Sequence, residues 1–287
     1  MYFRKILLVL VLPSLVFAEE APISSPEIYD TKTKTRTSWA SIEERVKDAD
    51  VIVFGEEHND SKGHAWKLEA LKRLSAKYPI SLSLEMLERD QQRSVDEFAR
   101  DEITEKGFLN SGKFWPNYQT DYHPLVMFAK ENRIPILAAN APKKYVNLVS
   151  SKGIGALYKI RSPYLPPRYL YKMHRQKEYE ELVLSAMSGH SVGMNFDPEK
   201  FLDSQYVWDA SMSDAIANAF YANGRKVFQV NGRFHTDSGL GLTHRLRQYG
   251  LKVLVLSIFP GFEGENLTDK DWALGDFVIL SERKPLP

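Results

Sequence analysis

The chain has 287 residues, 43% hydrophobic and 26% charged, which suits one large domain, or a domain with an insert, around a sizeable core. A formal net charge of +1 leaves no basic footprint for nucleic acid. The absence of cysteine excludes disulfides, thiolate metal sites, a Cys nucleophile, covalent c-type haem attachment and the Cys-linked lipid of a bacterial lipoprotein.

Residues 1–18 read as a cleaved secretory signal. Arg4 and Lys5 form a basic start, residues 6–12 an apolar run too short to span a bilayer, and Val16-Phe17-Ala18 a cleavage site with one bulky residue. No other apolar run has spanning length, so the mature chain is expected in a periplasm or similar exported space. Residues 19–40, rich in Pro, Ser, Thr and Lys over 21–37, are expected to form an extended or mobile arm.

A short helix over 41–47 leads into the stretch around which the chain is organised. Residues 51–54 are a β-branched and aromatic run, the mark of a buried strand, and Gly55 ends it. Glu56, Glu57, His58, Asn59 and Asp60 follow. Asn59, Asp60 or Ser61 caps a helix over 62–76, whose apolar positions are Trp66, Leu68, Leu71 and Leu74. A second strand over 80–85 ends in Glu85, and a helix follows near 91–100. Residues 113–123 are aromatic and irregular. Pro124 starts a helix that ends before Arg133. A third strand over 134–139 finishes at Asn140, and the next helix carries Lys143, Lys144 and Tyr145.

From 162 to 203 the strand–helix alternation stops at Pro163, Pro166 and Pro167, and a Tyr-rich segment reads as a small helical subdomain between the halves 41–161 and 204–287. A long helix over 201–220, a fourth strand over 227–230, a helix over 243–248, a fifth strand over 251–258 and an edge strand over 276–280 complete the pattern. The fold class is α/β, a mostly parallel sheet flanked by helices with a small helical subdomain.

Parallel strands place their C-ends on one edge, so Glu56, Glu57, His58, Glu85, Asn140 and the run from Asn231 to His235 can converge there. Glu57, His58 and His64 read as an acid–base or metal-linked group, or as a helix cap with a solvated His64. The spacing is not H-E-x-x-H, so zinc is not inferred. No G-x-S-x-G, G-x-G-x-x-G or Walker loop occurs. His235 follows Gly232 as a pocket or loop histidine, and Asn140 serves equally as a ligand contact or a cap. Trp115, Tyr118 and Tyr122 line a flat apolar ligand or simply pack. His174 and Lys177 share a helix face at i, i+3 and offer two donors to a carboxylate, or face solvent.

Six motifs in order carry a resemblance: F-G-E-E-H-N-D-S-K-G-H, S-L-E-M-L-E-R-D-Q-Q, Y-H-P-L, I-L-A-A-N-A-P-K-K-Y, S-Q-Y-V-W-D-A-S-M-S-D-A-I-A and V-N-G-R-F-H-T-D-S-G-L-G. Together, over about residues 40–260, they resemble the ChaN family of haem-binding uptake proteins. The resemblance implies an exported, non-enzymatic protein of haem and iron acquisition. It implies two haems stacked face to face in a homodimer, each iron held by a Tyr, with a His and a Lys of the other subunit on the propionates. It also leaves open an outer-membrane haem receptor or transport component as partner. Tyr145, at the family's Arg-Arg-Tyr position, is the first choice for iron ligand and Tyr171 the second. His174 and Lys177 are the propionate residues, with Lys172 and His190 as alternatives. A phenolate suits ferric iron, as in catalase. The same fold is shared more distantly with erythromycin-esterase-like and Tiki-type hydrolases, which makes ester or peptide hydrolysis through Glu57, His58 and His235 the alternative function.

Overall fold

A computed structural model describes residues 25–171, 173, 175–187 and 197–286. The signal segment, Lys172, His174 and His190 lie outside the described residues. Glu27–Asp30 (β1) and Thr35–Thr37 (β2) form a hairpin before helix α1 (Trp39–Val46) and strand β3 (Val51–Glu56). Helix α2 (Ser61–Ser75), strand β4 (Ile80–Glu88), helices α3 (Gln92–Ala99), α4 (Glu105–Leu109), α5 (Tyr118–Asp121) and α6 (His123–Glu131), and strand β5 (Ile136–Asn140) follow. Helices α7 (Lys143–Lys152), α8 (Lys177–Met187) and α9 (Pro198–Asn223) lead to β6 (Lys226–Gly232), α10 (Gly241–Gln248), β7 (Val253–Phe262) and β8 (Phe277–Lys284).

The sheet order is β2-β1-β8-β7-β3-β6-β4-β5, with β3 to β8 parallel and the β1–β2 hairpin antiparallel at one edge. Along β3 side chains alternate between faces. Ile52 and Phe54 join a core with Leu71 and Leu74 of α2 and Leu125 of α6. Val51 and Val53 join a second core with Met212 and Ile216 of α9 and Leu242 of α10. Two buried faces explain why the strand reads as a continuous apolar run. The chain leaves β3 toward the β5 edge and leaves the neighbouring β6 toward the β8 edge. Where connections part in this way, a crevice opens at the C-ends of the two strands.

Two expectations are corrected. The arm over 19–40 is ordered at its C-terminal end, where β1 pairs with β8 and buries Ile28. An edge strand needs few apolar residues when backbone pairing holds it, and Arg283 ties β8 to Glu27 at 2.8 Å. For the same reason β8 is not the edge: the hairpin extends the sheet beyond it. In the segment read as a helical subdomain, α8 buries Tyr179 and Val183 against Leu202 and Tyr206 of α9. Helix α9 itself runs across the expected boundary at 203 into the main domain.

Candidate functional site

The register of β3 decides which acid is buried. Glu56 follows Ile52 and Phe54 at period two, so it points at the α2 face, where it is 1% exposed. Lys67, on α2 and fully buried, donates to Glu56 Oε2 at 2.6 Å, and Tyr122 donates to Glu56 Oε1 at 2.6 Å. Lys67 also stands over the Tyr122 ring, 3.8 Å from its centroid. His64 Nε2 donates to the carbonyl of His58 at 3.1 Å, which leaves its Nδ1 to accept from Lys67. Burial works against ionising Glu56, but the His58 hydrogen bond, the adjacent His64 and the Lys67 charge outweigh it and hold the carboxyl well below the usual range. Burial in turn pushes the Lys67 ammonium down to about 8 against the pull of Glu56. At neutral pH the pair is therefore ionised.

His58 extends this network to the surface. Its Nδ1 lies 3.1 Å from the Tyr122 hydroxyl and 3.4 Å from Glu56 Oε1. Tyr122 spends its proton on Glu56, so its oxygen accepts from His58 Nδ1 and the lone pair stays on Nε2. A Cβ on Gly232 would meet His58 Nε2, so only glycine leaves room there. Trp115 packs edge-on to the imidazole at 4.9 Å. Burial opposes protonation of His58, but the Glu56 hydrogen bond and the charges of Glu85 and Glu56 raise its pKa.

A second network sits on the α9 face. His235 Nδ1 donates to Asp209 Oδ1 at 2.8 Å, and its Nε2 lies 3.6 Å from Glu85 Oε1. Glu85 Oε2 accepts the Gly232 amide at 2.7 Å, so the two networks touch at Gly232. Burial disfavours the imidazolium, but the charges of Asp209 and Glu85 prevail and push His235 up to about 9. Between β3 and β6 the crevice opens into a cavity of about 540 Å³ bordered by His58, Asn59, Asn117, Gly232, Arg233 and Phe234.

The structure thus brings together Glu57, His58, His64 and His235 from the sequence reading, with Glu85, and puts the buried Glu56 at the centre of the His58 network. Glu57, partly exposed, also borders the cavity and pairs with Arg233 at 3.0 Å. Asn140 Oδ1 accepts the next amide, Ala141, at 2.8 Å, and the N-cap of the following helix is Pro142. In the aromatic set, Trp115 and Tyr122 belong to the His58 network, and Tyr118 is buried core.

Tyr145 lies on the first turn of α7, partly buried against Val146 and Tyr171, and its hydroxyl donates to Ser162 Oγ at 3.0 Å. The Lys144 ammonium stands 5.3 Å from the Tyr145 ring centroid and 5.8 Å from that of Tyr164. Tyr171 is 1% exposed, and burial pushes its phenol up to about 12. Lys177 is exposed at the start of α8 and, among the described residues, pairs with Glu181 at 3.4 Å. Tyr145 and α8 pack into different clusters, so Lys177 is not gathered beside Tyr145 within one chain.

Lys67, Asp209 and Arg245 are among the buried charged residues that went unread in the sequence. Lys67 shares the α2 stripe with His64, Leu71 and Leu74 at helical spacing, and a lysine on such a stripe was a legible signal of a buried ion pair. Asp209 and Arg245 gave no such signal. Helix α9 is buried on every side from Leu202 to Ala217, so Asp209 breaks no pattern, and Arg245 is consumed by the carbonyl of Leu170 at 2.8 Å.

Fold and site define an α/β protein whose charged groups gather at the carboxyl edge of a parallel sheet. The chain belongs to the family described as haem-binding uptake, Tiki superfamily, ChaN, whose model matches residues 42–246. Among solved structures it is similar to ChaN of Campylobacter jejuni, described with cofacial haem binding, at a TM-score of 0.66 and 20% identity, over 90% of this chain and 97% of that one. The erythromycin esterase EreC in its open conformation overlays at a TM-score of 0.47 and 10% identity, over 89% of this chain and 82% of that one. A curated relative, Protein RETICULATA-RELATED 5, chloroplastic, of Arabidopsis thaliana, is 23% identical over 216 residues, 72% of this chain. The chain spans 29% of that relative's length.

Proposed function

We propose that this protein is an exported, periplasmic haem-binding protein of haem and iron acquisition. It holds each haem iron through Tyr145 and stacks two haems face to face across a homodimer, and an outer-membrane haem receptor or a transport component supplies or receives its cargo. The observation that carries the reading is the setting of Tyr145 in a chain of the haem-binding uptake family. Among the described residues its hydroxyl is engaged by another hydroxyl, that of Ser162, and the tyrosine-rich segment after it exposes Tyr158, Tyr164, Tyr169 and Met173. These offer apolar surface to a flat macrocycle or to a second subunit. Tyr171 fits the ligand role less well, because burial disfavours the phenolate that ferric iron requires.

A five-coordinate haem leaves one apolar porphyrin face bare, unfavourable in water at roughly 25 cal/mol per Å². A second haem on a partner subunit covers that face, so ligand and partner stabilise each other. In this reading Lys177, which is exposed and packs apart from the Tyr145 cluster, serves the partner's haem together with His174. Hemin titration with sedimentation tests the model: saturation at one hemin per chain should coincide with dimer formation. A protein that stays monomeric when saturated would defeat the stacked pair.

One observation favours a second reading, hydrolysis of an ester or peptide at the strand-end crevice. His58 borders the cavity, with Nε2 against Gly232, while Glu56 and Tyr122 orient its other nitrogen, the arrangement of a general base. Glu56 is the acid bonded to His58, Glu57 borders the same cavity, and His235 is the cationic neighbour. His58→Ala should abolish hydrolysis and leave hemin binding intact; a screen in which the wild type hydrolyses nothing removes this reading.

A further inference from the structure

Charge is unevenly divided between two segments that pack on the first half of α9. From Ala141 to Tyr171 the chain carries Lys143, Lys144, Lys152, Lys159, Arg161 and Arg168, all exposed, and no acidic residue. Lys144 is paired with Asp90 at 2.6 Å, and Arg168 reaches the carbonyl of Ile160 at 3.3 Å. Lys143, Lys152, Lys159 and Arg161 have no ion pair among the described residues, so positive charge accumulates on this surface. Tyr158, Tyr164 and Tyr169 are exposed among them.

Helix α8 presents the opposite sign. Tyr179 and Val183 bury its inner face against α9, which turns Glu178, Glu181 and Leu182 outward at helical spacing. Glu180 is held by Arg175 at 2.7 Å. On the outer face Lys177 neutralises Glu181 at 3.4 Å, and Leu182 is 37% exposed. Glu178 has no partner among the described residues. The basic segment packs on α9 through Val207 and α8 packs through Leu202 and Tyr206. Between them Asp203 accepts the Ile154 amide at 3.0 Å and lies 3.7 Å from Arg175. Surfaces of opposite sign that adjoin in this way are self-complementary about a two-fold axis. Each protomer's acidic face meets its partner's basic one, and the contact occurs twice.

We infer that in the haem-loaded homodimer α8 of one protomer docks on the basic, tyrosine-rich surface of the other. Glu178 and Glu181 face Lys152, Lys159 and Arg161 of the second copy, and Leu182 meets its exposed tyrosines. The inference rests on the haem reading above, which sends Lys177 to a propionate of the partner's haem. That move takes the cation away from Glu181 and leaves it beside Glu178, one turn away, where like charges repel. The basic surface of the second copy relieves that repulsion. Haem thereby uncovers the acidic face as it recruits the second protomer.

Sedimentation of the full-length protein, saturated with hemin, tests the pairing. Glu178→Lys/Glu181→Lys and Lys152→Glu/Lys159→Glu/Arg161→Glu each reverse one side. Either variant alone sets like charges against each other twice and should dimerise at least about tenfold more weakly than wild type. An equal mixture of the two restores both contacts, because each protomer then meets a partner of opposite sign, and should dimerise like wild type. The wild-type dimer should also weaken about tenfold between about 0.01 and 1 M sodium chloride, as the Debye length shrinks from about 30 to about 3 Å. A mixture no tighter than either variant alone, or a wild-type dimer indifferent to salt, would overturn the inference. So would variants that dimerise like wild type. Capture of the hemin-free protein by anionic phospholipid vesicles, lost in Lys152→Glu/Lys159→Glu/Arg161→Glu while that variant dimerises normally, would overturn it too and assign the basic surface to lipid. In each of these cases the wild type still forms a hemin-dependent dimer and the haem reading stands. A wild type that stays monomeric when saturated with hemin sinks that reading itself.

Discussion

Replacing His235 by Gln removes one buried charge while keeping a donor for Asp209. In the folded protein burial opposes the His235 proton, yet Asp209 and Glu85 hold its pKa at about 9, against 6.5 for an ordinary histidine. A displacement of that size corresponds to about 3 kcal/mol. Because the folded pKa is the higher one, this stabilisation is present in full below the unfolded value and is lost as pH rises through the folded value. Lys67 acts with the opposite sign. Its folded pKa is depressed to about 8, so its contribution grows as pH rises from there toward 10.5. The raw pH profile of the wild type therefore mixes two groups, and the difference between wild type and His235→Gln isolates one. Urea unfolding at a series of pH values measures that difference. The stability gap should be about 3 kcal/mol wider near pH 6 than above about pH 9.5. A gap that stays constant over that range would refute the buried imidazolium between Asp209 and Glu85.

Three further predictions concern single residues. Lys67→Met leaves the Glu56 carboxylate buried without its cation and should cost about 3–5 kcal/mol in urea unfolding; a loss under about 1 kcal/mol would contradict the ion pair. Gly232→Ala drives a Cβ into His58 Nε2 and should shift the His58 imidazole resonances while leaving hemin binding unchanged; an unperturbed His58 would show that the contact is not close. Lys177→Ala should loosen hemin binding without altering the iron spectrum, measured by absorption titration, and a changed spectrum would place Lys177 at the iron instead.

Strands β3, β4 and β5 were legible because β3 and β5 are short apolar runs closed by Gly-Glu and Asn, and β4 alternates Ile and Leu with serines before Glu85. The β1–β2 hairpin was not, because only Ile28 of its residues is deeply buried and backbone pairing to β8, invisible in composition, holds it. The convergence of strand ends was readable from the βα order. The choice between Glu56 and Glu57 was also available, through the period of two set by Ile52 and Phe54, but adjacent acids hide it until the strand's last residue is known. Lys67 was legible as a charge on the α2 stripe. Asp209 was not, because α9 is buried all round and its acids follow no face. Tyr145 could be singled out only through the family resemblance: partly buried on an ordinary helix turn, it has nothing in its spacing that marks an iron ligand.

The central claim is that Tyr145 holds the haem iron. Tyr145→Phe keeps the ring in its cluster with Val146 and Tyr171 and removes only the oxygen bonded to Ser162. Resonance Raman spectra of the hemin-loaded wild type and of this variant give the direct comparison. The wild type should show iron–tyrosinate modes that vanish in Tyr145→Phe, with the fold unchanged by circular dichroism. Tyrosinate modes that persist in the variant would contradict the assignment and move the ligand elsewhere, first to Tyr171.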